Sequence, residues 1–270
     1  MSRTINSEEK NMLRIREYKK VESLKEAYEL NQKKTNHIVG GGLWIKIGNR
    51  NLMTAIDLSG LGLDKIEETA EEFVIGCMTP LRDLETHEGL NRYTGGAMKE
   101  SLRHIVGVQF RNCATVGGSL YGRFGFSDVL TLFCALDSYV ELYKGGMVPV
   151  RNFAAMPYDN DILVAVHIRK VPVKVSYLSV RNSATDFPVL AEAVSEYNGE
   201  LHVSIGARPV RAAVMDFPIS AKEDMATLVE QVKDGFVFGS NRRAGAEYRR
   251  HVAGVLTKRA CEANDRKIEE

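Results

Sequence analysis

The spacing of apolar and polar residues divides the chain into a succession of short helices and strands. Apolar positions 21, 24, 27 and 28 recur at helical spacing, and Ser23 can cap a helix that ends near Asn31. Apolar runs typical of strands follow at residues 37–39, 53–58 and 73–77. Helical spacing returns over residues 80–106. Helices and strands therefore alternate, which predicts an α/β or α+β arrangement for the first third of the chain.

Two glycine-rich loops interrupt this pattern. The first loop, residues 40–42, is three consecutive glycines directly after the strand at residues 37–39. The second loop, residues 117–118, is two glycines after residues 114–116, which end in a β-branched pair and are predicted to be a strand. Each loop is thus predicted to follow an apolar strand.

The remainder of the chain continues the mixed pattern. Ser127 and Asp128 open an apolar helix at residues 129–136. Strands are predicted at residues 139–143, 147–150, 162–168, 173–180, 187–194 and 201–205, and helices at residues 221–233 and 241–260. Asn198-Gly199 favours a tight hairpin turn between the last two strands. Charged residues and a proline at residues 169–172 place a domain boundary near residues 168–174.

Composition and charge are those of a folded globular protein. The chain has 270 residues, of which 44% are hydrophobic and 26% charged. Its net charge of +1 offers no global field for a polyanion, which argues against a nucleic-acid partner. Residues 1–20 are polar and no apolar run is long enough for a membrane span, so we expect a cytoplasmic protein without a signal peptide.

The cysteines and histidines do not predict a metal site. The four cysteines have no CxxC spacing and the six histidines have no HExxH pairing; the cysteines are Cys77, Cys113, Cys134 and Cys261. Buried, reduced thiols are the better interpretation, and we expect no metal in this chain.

The glycine loops are the first candidates for chemistry. Glycine lacks a Cβ and tolerates positive φ, so consecutive amides of such loops can surround a phosphate. Two loops of this kind could hold one diphosphate, although each alone could equally be an ordinary tight turn. Neither loop has the GxGxxG spacing of a dinucleotide fold, and the chain has no GxxxxGK[ST] motif, which disfavours a kinase or a simple Rossmann dehydrogenase.

Taken together, the motifs resemble those of the FAD-binding medium subunit of molybdenum hydroxylases, the group of xanthine dehydrogenase and carbon monoxide dehydrogenase. Residues 38–43 are similar to that family's AGGT-D/E-L loop, and residues 111–119 to its RN-x-[AG]-T-[IV]-GG-N/S loop. Weaker matches are Ser127-Asp128, residues 161–163, Arg181 with Asp186-Phe187, and the tail at residues 246–260. The resemblance extends from about Tyr18 to Ala260.

The resemblance implies a fold and a cofactor. The fold is α+β: a two-subdomain FAD-binding domain of the vanillyl-alcohol-oxidase (PCMH) type over residues 1–168, split near residue 60, then a smaller α/β C-terminal domain over residues 172–270. The cofactor is FAD, and no catalytic or metal-binding side chain is implied. The residues that match the family's cofactor-binding positions are Val39, Gly40, Gly41, Gly42, Leu43, Trp44, Ile105, Thr115, Gly117, Gly118, Ser119, Asp128, Ile162 and Leu163.

Within that set, the resemblance assigns three kinds of contact. The two loops would hold the diphosphate from opposite sides. Asp128 would accept hydrogen bonds from ribityl or ribose hydroxyls, a role compatible with capping its helix. Ile105, Ile162 and Leu163 would pack on the adenine or the isoalloxazine ring, although each could equally be plain core.

The chain also departs from the family's pattern. Gly42 and Leu43 stand where the family has a threonine and an acidic residue, which shifts the grip on FAD to backbone amides. Between the second loop and Asp128 the family has small residues, whereas this chain has Tyr121, Arg123, Phe124 and Phe126. This bulkier, cationic segment could shield the flavin, stack on it or stabilise a reduced anionic ring through Arg123, or Arg123 could simply lie on the surface.

The resemblance further implies a function in an assembly. Electrons from a molybdopterin centre on a large partner would reach FAD through [2Fe–2S] clusters on a small iron–sulfur partner, and would leave to NAD+ or another acceptor. One alternative is a stand-alone FAD-dependent oxidoreductase with the same fold, as in peptidoglycan precursor synthesis. The other is a non-catalytic assembly module that has lost tight FAD binding.

Overall fold

A computed structural model describes residues 12–266 of the chain. The described residues exclude 1–11 and 267–270, so the polar residues 1–11, on which the expected absence of a signal peptide partly rests, lie outside them. The strands are β1 (Arg14–Lys20), β2 (His37–Val39), β3 (Asn51–Asp57), β4 (Ile66–Glu68), β5 (Glu72–Gly76), β6 (Ser138–Leu142), β7 (Gly146–Pro149), β8 (Leu163–Arg169), β9 (Lys174–Arg181), β10 (Pro188–Tyr197), β11 (Glu200–Gly206) and β12 (Ala213–Pro218). The helices are α1 (Leu24–Asn31), α2 (Leu81–Thr86), α3 (Glu88–Tyr93), α4 (Ala97–Leu102), α5 (Val108–Cys113), α6 (Val116–Tyr121), α7 (Asp128–Ala135), α8 (Val150–Ala155), α9 (Met225–Gly235) and α10 (Ala246–Arg266). Two 3-10 helices span Ile45–Ile47 and Ile219–Asp224.

The first part of the chain forms a three-stranded parallel sheet in the order β1-β3-β2. Ser23 caps α1 by accepting a hydrogen bond from the Glu26 amide, which confirms the predicted helix start. β2 and β3 were predicted. β1 was not, because its sequence RIREYKK has no apolar alternation and the strand is largely exposed at a sheet edge.

The second part is a five-stranded antiparallel sheet in the order β4-β5-β8-β6-β7, which shares its core with α2 to α4 and α6 to α8. α7 is buried along its whole length, as its continuous apolar sequence suggests, and lies near the centre of this core. The predicted strands at residues 139–143, 147–150 and 162–168 are confirmed within one or two residues as β6, β7 and β8.

The last part is a four-stranded antiparallel sheet in the order β12-β11-β10-β9, covered on one face by α9 and α10 and on the other by α7. Along β10, Ala191 and Ala193 join the core around α7, whereas Leu190 and Val194 face the α9–α10 side. Both faces are therefore buried, which explains why residues 188–194 of β10 are apolar at every position except Glu192. Asn198 and Gly199 have φ of 53° and 80°, so the predicted tight turn is present.

The change of sheet coincides with the predicted boundary, since β8 ends at Arg169 and β9 begins at Lys174. The core does not stop there. Val175 and Tyr177 of β9 pack into the same cluster as α7. Division of the chain into separate domains at this point stays a prediction.

One predicted strand is wrong. Residues 114–116 do not form a strand before the second glycine loop: Thr115 makes an isolated bridge to Pro80 and then caps α6, whose first turn contains both glycines. β-Branched residues suggested a strand, but Thr115 is also a good helix cap, and this local hydrogen bond to the Gly118 amide decides the conformation.

The C-terminal sheet contains a buried carboxyl group that makes stability depend on pH. Glu192 is completely buried, with Thr257 donating a hydrogen bond of 2.6 Å to Oε1, and burial raises the pKa of Glu192 to about 8. The folded state therefore holds this proton more tightly than the unfolded state, so stability falls as pH rises from about 4.5 to about 8 and then levels off.

We expect Glu192→Gln to remove this dependence, because a neutral amide of the same shape cannot ionise. The variant should be more stable than the natural chain at pH 8 by roughly 3 kcal/mol and nearly equal at pH 5. Urea unfolding at both pH values measures the difference. An equal effect at the two pH values would contradict a raised pKa.

No helix among residues 12–266 is long and apolar enough to cross a membrane. No group of three or more histidine, cysteine and acidic side chains among them is arranged to hold a metal ion.

Candidate functional site

The first glycine loop packs directly against residues 113–115, which lead into the second loop. A Cβ atom added to Gly41 would lie 1.8 Å from the carbonyl oxygen of Cys113, and one added to Gly40 would lie 2.5 Å from Oγ1 of Thr115. Real Cβ contacts are never this short, so the absence of a side chain is what allows the loops to pack together. The sequence predicted convergence of two loops that are about 75 positions apart, and the structure shows it.

The first loop offers unused hydrogen-bond donors. Gly42 has a φ of +68°, which turns the chain from β2 into the 3-10 helix at Ile45–Ile47. Within the described part of the chain, no protein acceptor is bonded to the amides of residues 41–44. Consecutive amides in such a bend are well suited to an anionic oxygen.

The second loop differs from the prediction of a second open nest of amides. The amide of Gly117 donates to the Cys77 carbonyl (2.8 Å), that of Gly118 to Thr115 Oγ1 (3.2 Å) and that of Ser119 to the Thr115 carbonyl (3.0 Å). These donors are already used within the protein. The second loop therefore supports the first loop, and its contribution to a ligand would come from hydroxyl groups and close backbone approach.

A buried ion pair fixes the second loop. Arg111 is 5% exposed and Glu85 is 4% exposed, and the guanidinium binds the carboxylate through Nε (2.7 Å) and Nη2 (3.2 Å). Arg111 also donates to the Ile105 carbonyl (3.1 Å). The arginine of the RN motif thus ties α5, and with it Cys113, to α2.

One large cavity lies where the loops meet. Its volume is about 840 Å³, within the range of cofactor sites. All fourteen residues that the sequence nominated line it: Val39, Gly40, Gly41, Gly42, Leu43, Trp44, Ile105, Thr115, Gly117, Gly118, Ser119, Asp128, Ile162 and Leu163. The fold thus brings all the nominated residues to one cavity. Their contacts with a ligand stay a prediction.

Asp128 has partners that the sequence did not reveal. Its Oδ1 accepts hydrogen bonds from the Tyr177 hydroxyl and from Nη2 of Arg181, both on β9. Burial raises the pKa of Asp128 to about 6 even though Arg181 opposes the shift, so the group is mainly ionised at pH 7. Asp128 also begins α7, as predicted, with Ser127 as the cap.

Four aromatic rings form a wall at the same end of the cavity as Asp128 and Arg181. Trp44 lies 5.4 to 5.7 Å from the rings of Phe124, Phe126 and Phe187, and Phe126 lies 4.2 Å from Phe187. Trp44 is 43% exposed. The sequence singled out three of these rings, but Phe187 was noted only as part of a C-terminal motif, because its approach requires the fold.

The prediction that Arg123 lies on the surface is wrong, while an effect of its charge on the flavin stays a prediction. Its side chain is 1% exposed and is not among the residues that line the cavity, so it neither faces a ligand there nor lies on the surface. It packs over the ring of Phe153, with 3.9 Å between the guanidinium carbon and the ring centre. Its neighbours Tyr121 and Phe124 do line the cavity.

The positions of Ile105, Ile162 and Leu163 are compatible both with contact to a cofactor ring and with a purely core role. Ile162 is 1% exposed and Leu163 is 4% exposed, and Ile105 is partly buried against the same core. All three reach the cavity surface from the core. Each is thus a core residue that also presents apolar surface to the cavity.

The chain matches a known family of FAD-binding domains, which agrees with a cavity of cofactor size. A family described as "FAD binding domain in molybdopterin dehydrogenase" matches residues 12–171. The uncharacterized protein YgfM of Escherichia coli K12 is 23% identical over 257 residues, covering 90% of this chain and 93% of YgfM.

Solved structures share the fold over nearly the whole chain. Carbon monoxide dehydrogenase from Hydrogenophaga pseudoflava superposes with a TM-score of 0.80 at 20% identity, covering 93% of this chain and 97% of that chain. Quinoline 2-oxidoreductase from Pseudomonas putida 86 superposes with a TM-score of 0.76 at 18% identity, covering 92% and 96%. At this level of identity the similarity establishes the fold and not the substrate.

Proposed function

Since this chain belongs to the family of FAD-binding domains of molybdopterin dehydrogenases, we propose that it is the flavin subunit of a multi-subunit molybdenum hydroxylase. FAD is the cofactor of the family, and the fold is the FAD-binding fold found in carbon monoxide dehydrogenase. The observation that carries the proposal is the direct contact of the first glycine loop with residues 113–115 inside a cavity lined by all the nominated residues.

The residues present fit FAD. The amides of residues 41–44, with no protein acceptor bonded to them within the described residues, would hold the diphosphate, and Thr115 and Ser119 bring hydroxyl groups to the opposite side. Asp128 would accept hydrogen bonds from hydroxyl groups of the cofactor. The replacement of the family's threonine and acidic residue by Gly42 and Leu43 is compatible with this, because the grip rests on backbone donors.

In such a subunit the cofactor supplies the redox chemistry, since a flavin can take up electrons singly and release them singly or as a hydride. The protein binds, orients and shields it. The apolar residues Ile105, Ile162 and Leu163 and the aromatic wall around Trp44 exclude water, and Arg181 keeps Asp128 ionised and fixed.

The proposed partners are an iron–sulfur small subunit that delivers electrons and a molybdopterin large subunit that oxidises the substrate. The electrons would leave FAD either to NAD+, as in xanthine dehydrogenase, or to a different electron acceptor. The support for partners is the family and the fold shared with carbon monoxide dehydrogenase and quinoline 2-oxidoreductase.

Purification of the tagged chain from its native cell tests the proposal. We expect two further polypeptides to co-purify, with a flavin absorption band and with molybdenum and iron in the preparation. A chain that purifies alone with FAD and turns over a small substrate without either metal would contradict the proposal and favour a stand-alone flavoenzyme.

A further inference from the structure

Arg123 is a buried cation with an unusual environment. It is 1% exposed, and its guanidinium carbon lies 3.9, 5.0 and 5.2 Å from the ring centres of Phe153, Tyr158 and Tyr121. Its backbone has a φ of 42°, so the chain bends sharply here between α6 and Phe124. Burial of a cation and a positive φ at a non-glycine residue both cost free energy, which suggests that Arg123 has a specific structural role.

The Nη1 atom of Arg123 shows what the side chain holds. It donates to the carbonyl oxygens of Met156 (3.3 Å) and Pro157 (3.0 Å), at the start of an irregular segment that we call the cavity strap, residues 156–161. In return, the hydroxyl of Tyr158 in the strap donates to the Gly122 carbonyl (2.6 Å). The strap and the bend at Arg123 are thus joined in both directions.

Other side chains hold the rest of the cavity strap from outside. The Tyr121 hydroxyl donates to the Asp159 carbonyl (2.6 Å), and Nδ2 of Asn31, at the end of α1, donates to the Asn160 carbonyl (2.8 Å). Nη1 of Arg211, in the C-terminal part, donates to the Met156 carbonyl (2.8 Å). The strap is therefore bonded to side chains from all three parts of the molecule.

The cavity strap is also a wall of the cofactor cavity, because its last three residues, 159–161, line it. The strap contains neither helix nor strand, so its position depends on the side-chain donors that fix its carbonyl groups. Arg123 supplies two of these bonds from a fully buried position, where hydrogen bonds are less exposed to competition by water.

We propose that Arg123 is a positioning residue for FAD: it does not touch the cofactor, but holds the cavity strap so that the cavity is formed before FAD arrives. This inference rests on the proposed function, in which FAD occupies that cavity. If the strap became ordered only on binding, the affinity for FAD would be lower, because the loss of conformational entropy would reduce the free energy of binding.

The matched test compares two buried arginines. Arg249 is 0% exposed and likewise holds backbone carbonyls, those of Val189 (2.8 Å) and Gly239 (2.7 Å), but it lies on α10 away from the cavity. We expect Arg123→Met to raise the dissociation constant of FAD at least about tenfold, and Arg249→Met to leave it within about twofold, although both lower the melting temperature.

Two milder variants keep the test decisive if Arg123→Met folds poorly. Arg123→Lys retains a cation over the rings and one donor group, so its affinity for FAD should lie between those of the natural chain and Arg123→Met. Tyr158→Phe removes only the hydroxyl that binds Gly122, and should raise the dissociation constant by a smaller factor. In each variant, amide hydrogen exchange of residues 156 and 158–161 should be faster, and FAD should suppress the difference.

Equal affinity of the natural chain, Arg123→Lys and Tyr158→Phe for FAD would overturn the inference, and so would equal losses in Arg123→Met and Arg249→Met. Failure of the proposed function would give a different result from failure of this inference. In that case the natural chain would bind FAD with the expected dependence on Arg123, while no molybdenum or iron would co-purify with it.

Discussion

Replacing Gly41 by alanine is expected to weaken FAD binding severely. The new Cβ would lie 1.8 Å from the Cys113 carbonyl oxygen and 2.5 Å from its carbon, which are backbone atoms and cannot rotate away. The loops would have to separate by more than 1 Å, roughly, to restore ordinary contact. Because the amides of the first loop would then leave their position, we expect the dissociation constant of FAD to rise by at least about 100-fold.

A nearby glycine provides the control for this experiment. Gly107 has an extended backbone, with φ −129°, and a Cβ added there would meet its nearest atom at 3.5 Å, an ordinary contact. Gly107→Ala should bind FAD like the natural chain. Equilibrium dialysis of both variants measures the difference, and tight binding by Gly41→Ala would show that the contact of the loops does not form the site.

Replacing Arg181 by methionine is expected to cause the largest loss of stability. Arg181 and Asp128 have side chains only 6% and 5% exposed, so the variant leaves a buried carboxylate with Tyr177 as its remaining side-chain partner. Removing one member of a buried pair costs about 3 to 5 kcal/mol. Chemical unfolding at neutral pH measures this loss.

The pH dependence provides an independent check on the same variant. Arg181 lowers the pKa of Asp128 against the effect of burial, so its removal should raise that pKa further above about 6. The folded variant would then hold the proton to higher pH than the natural chain. Its stability deficit should therefore be larger at pH 8 than at pH 5, where Asp128 is mainly protonated in both folded proteins.

Arg243→Met is the matched control, because Arg243 pairs with Asp186 through a bond of 2.9 Å in a setting where the two side chains are 34% and 29% exposed. Water screens that pair, and its loss should cost less than about 1 kcal/mol. The double variant Asp128→Asn with Arg181→Met should recover part of the loss of the single variant. Equal losses for Arg181→Met and Arg243→Met would contradict the buried ion pair.

The site could be predicted from the sequence where the information is local. Gly41 and Gly117 are required by close backbone approach, since an added Cβ would lie 1.8 Å and 2.7 Å from the carbonyl oxygens of Cys113 and Cys77, and Gly42 is favoured by its φ of +68°, so these glycines appear directly in the sequence. Their pairing came from the resemblance to a family, because nothing local in the sequence links loops 75 or so positions apart. The buried helix α7 and the Asn198-Gly199 hairpin were predictable for similar local reasons.

The rest depends on tertiary contacts. The second loop was predicted to have open amides, but its donors are bonded to carbonyls such as that of Cys77, which comes from a distant strand. Arg123 was assigned to the ligand or the surface because cations are rarely buried, whereas the rings of Phe153 and Tyr158 and two carbonyls, all more than 25 positions away, hold it inside. β1 is polar and becomes a strand only by pairing with β3.

Fluorescence of Trp44 tests the central claim most directly. Trp44 is the only tryptophan in the chain, and it lines the cavity beside the first glycine loop. Since flavins absorb where tryptophan emits, titration of FAD into the flavin-free natural chain should quench most of the emission and saturate at one FAD per chain. Binding of FAD with unchanged Trp44 emission would place the cofactor elsewhere and contradict the account.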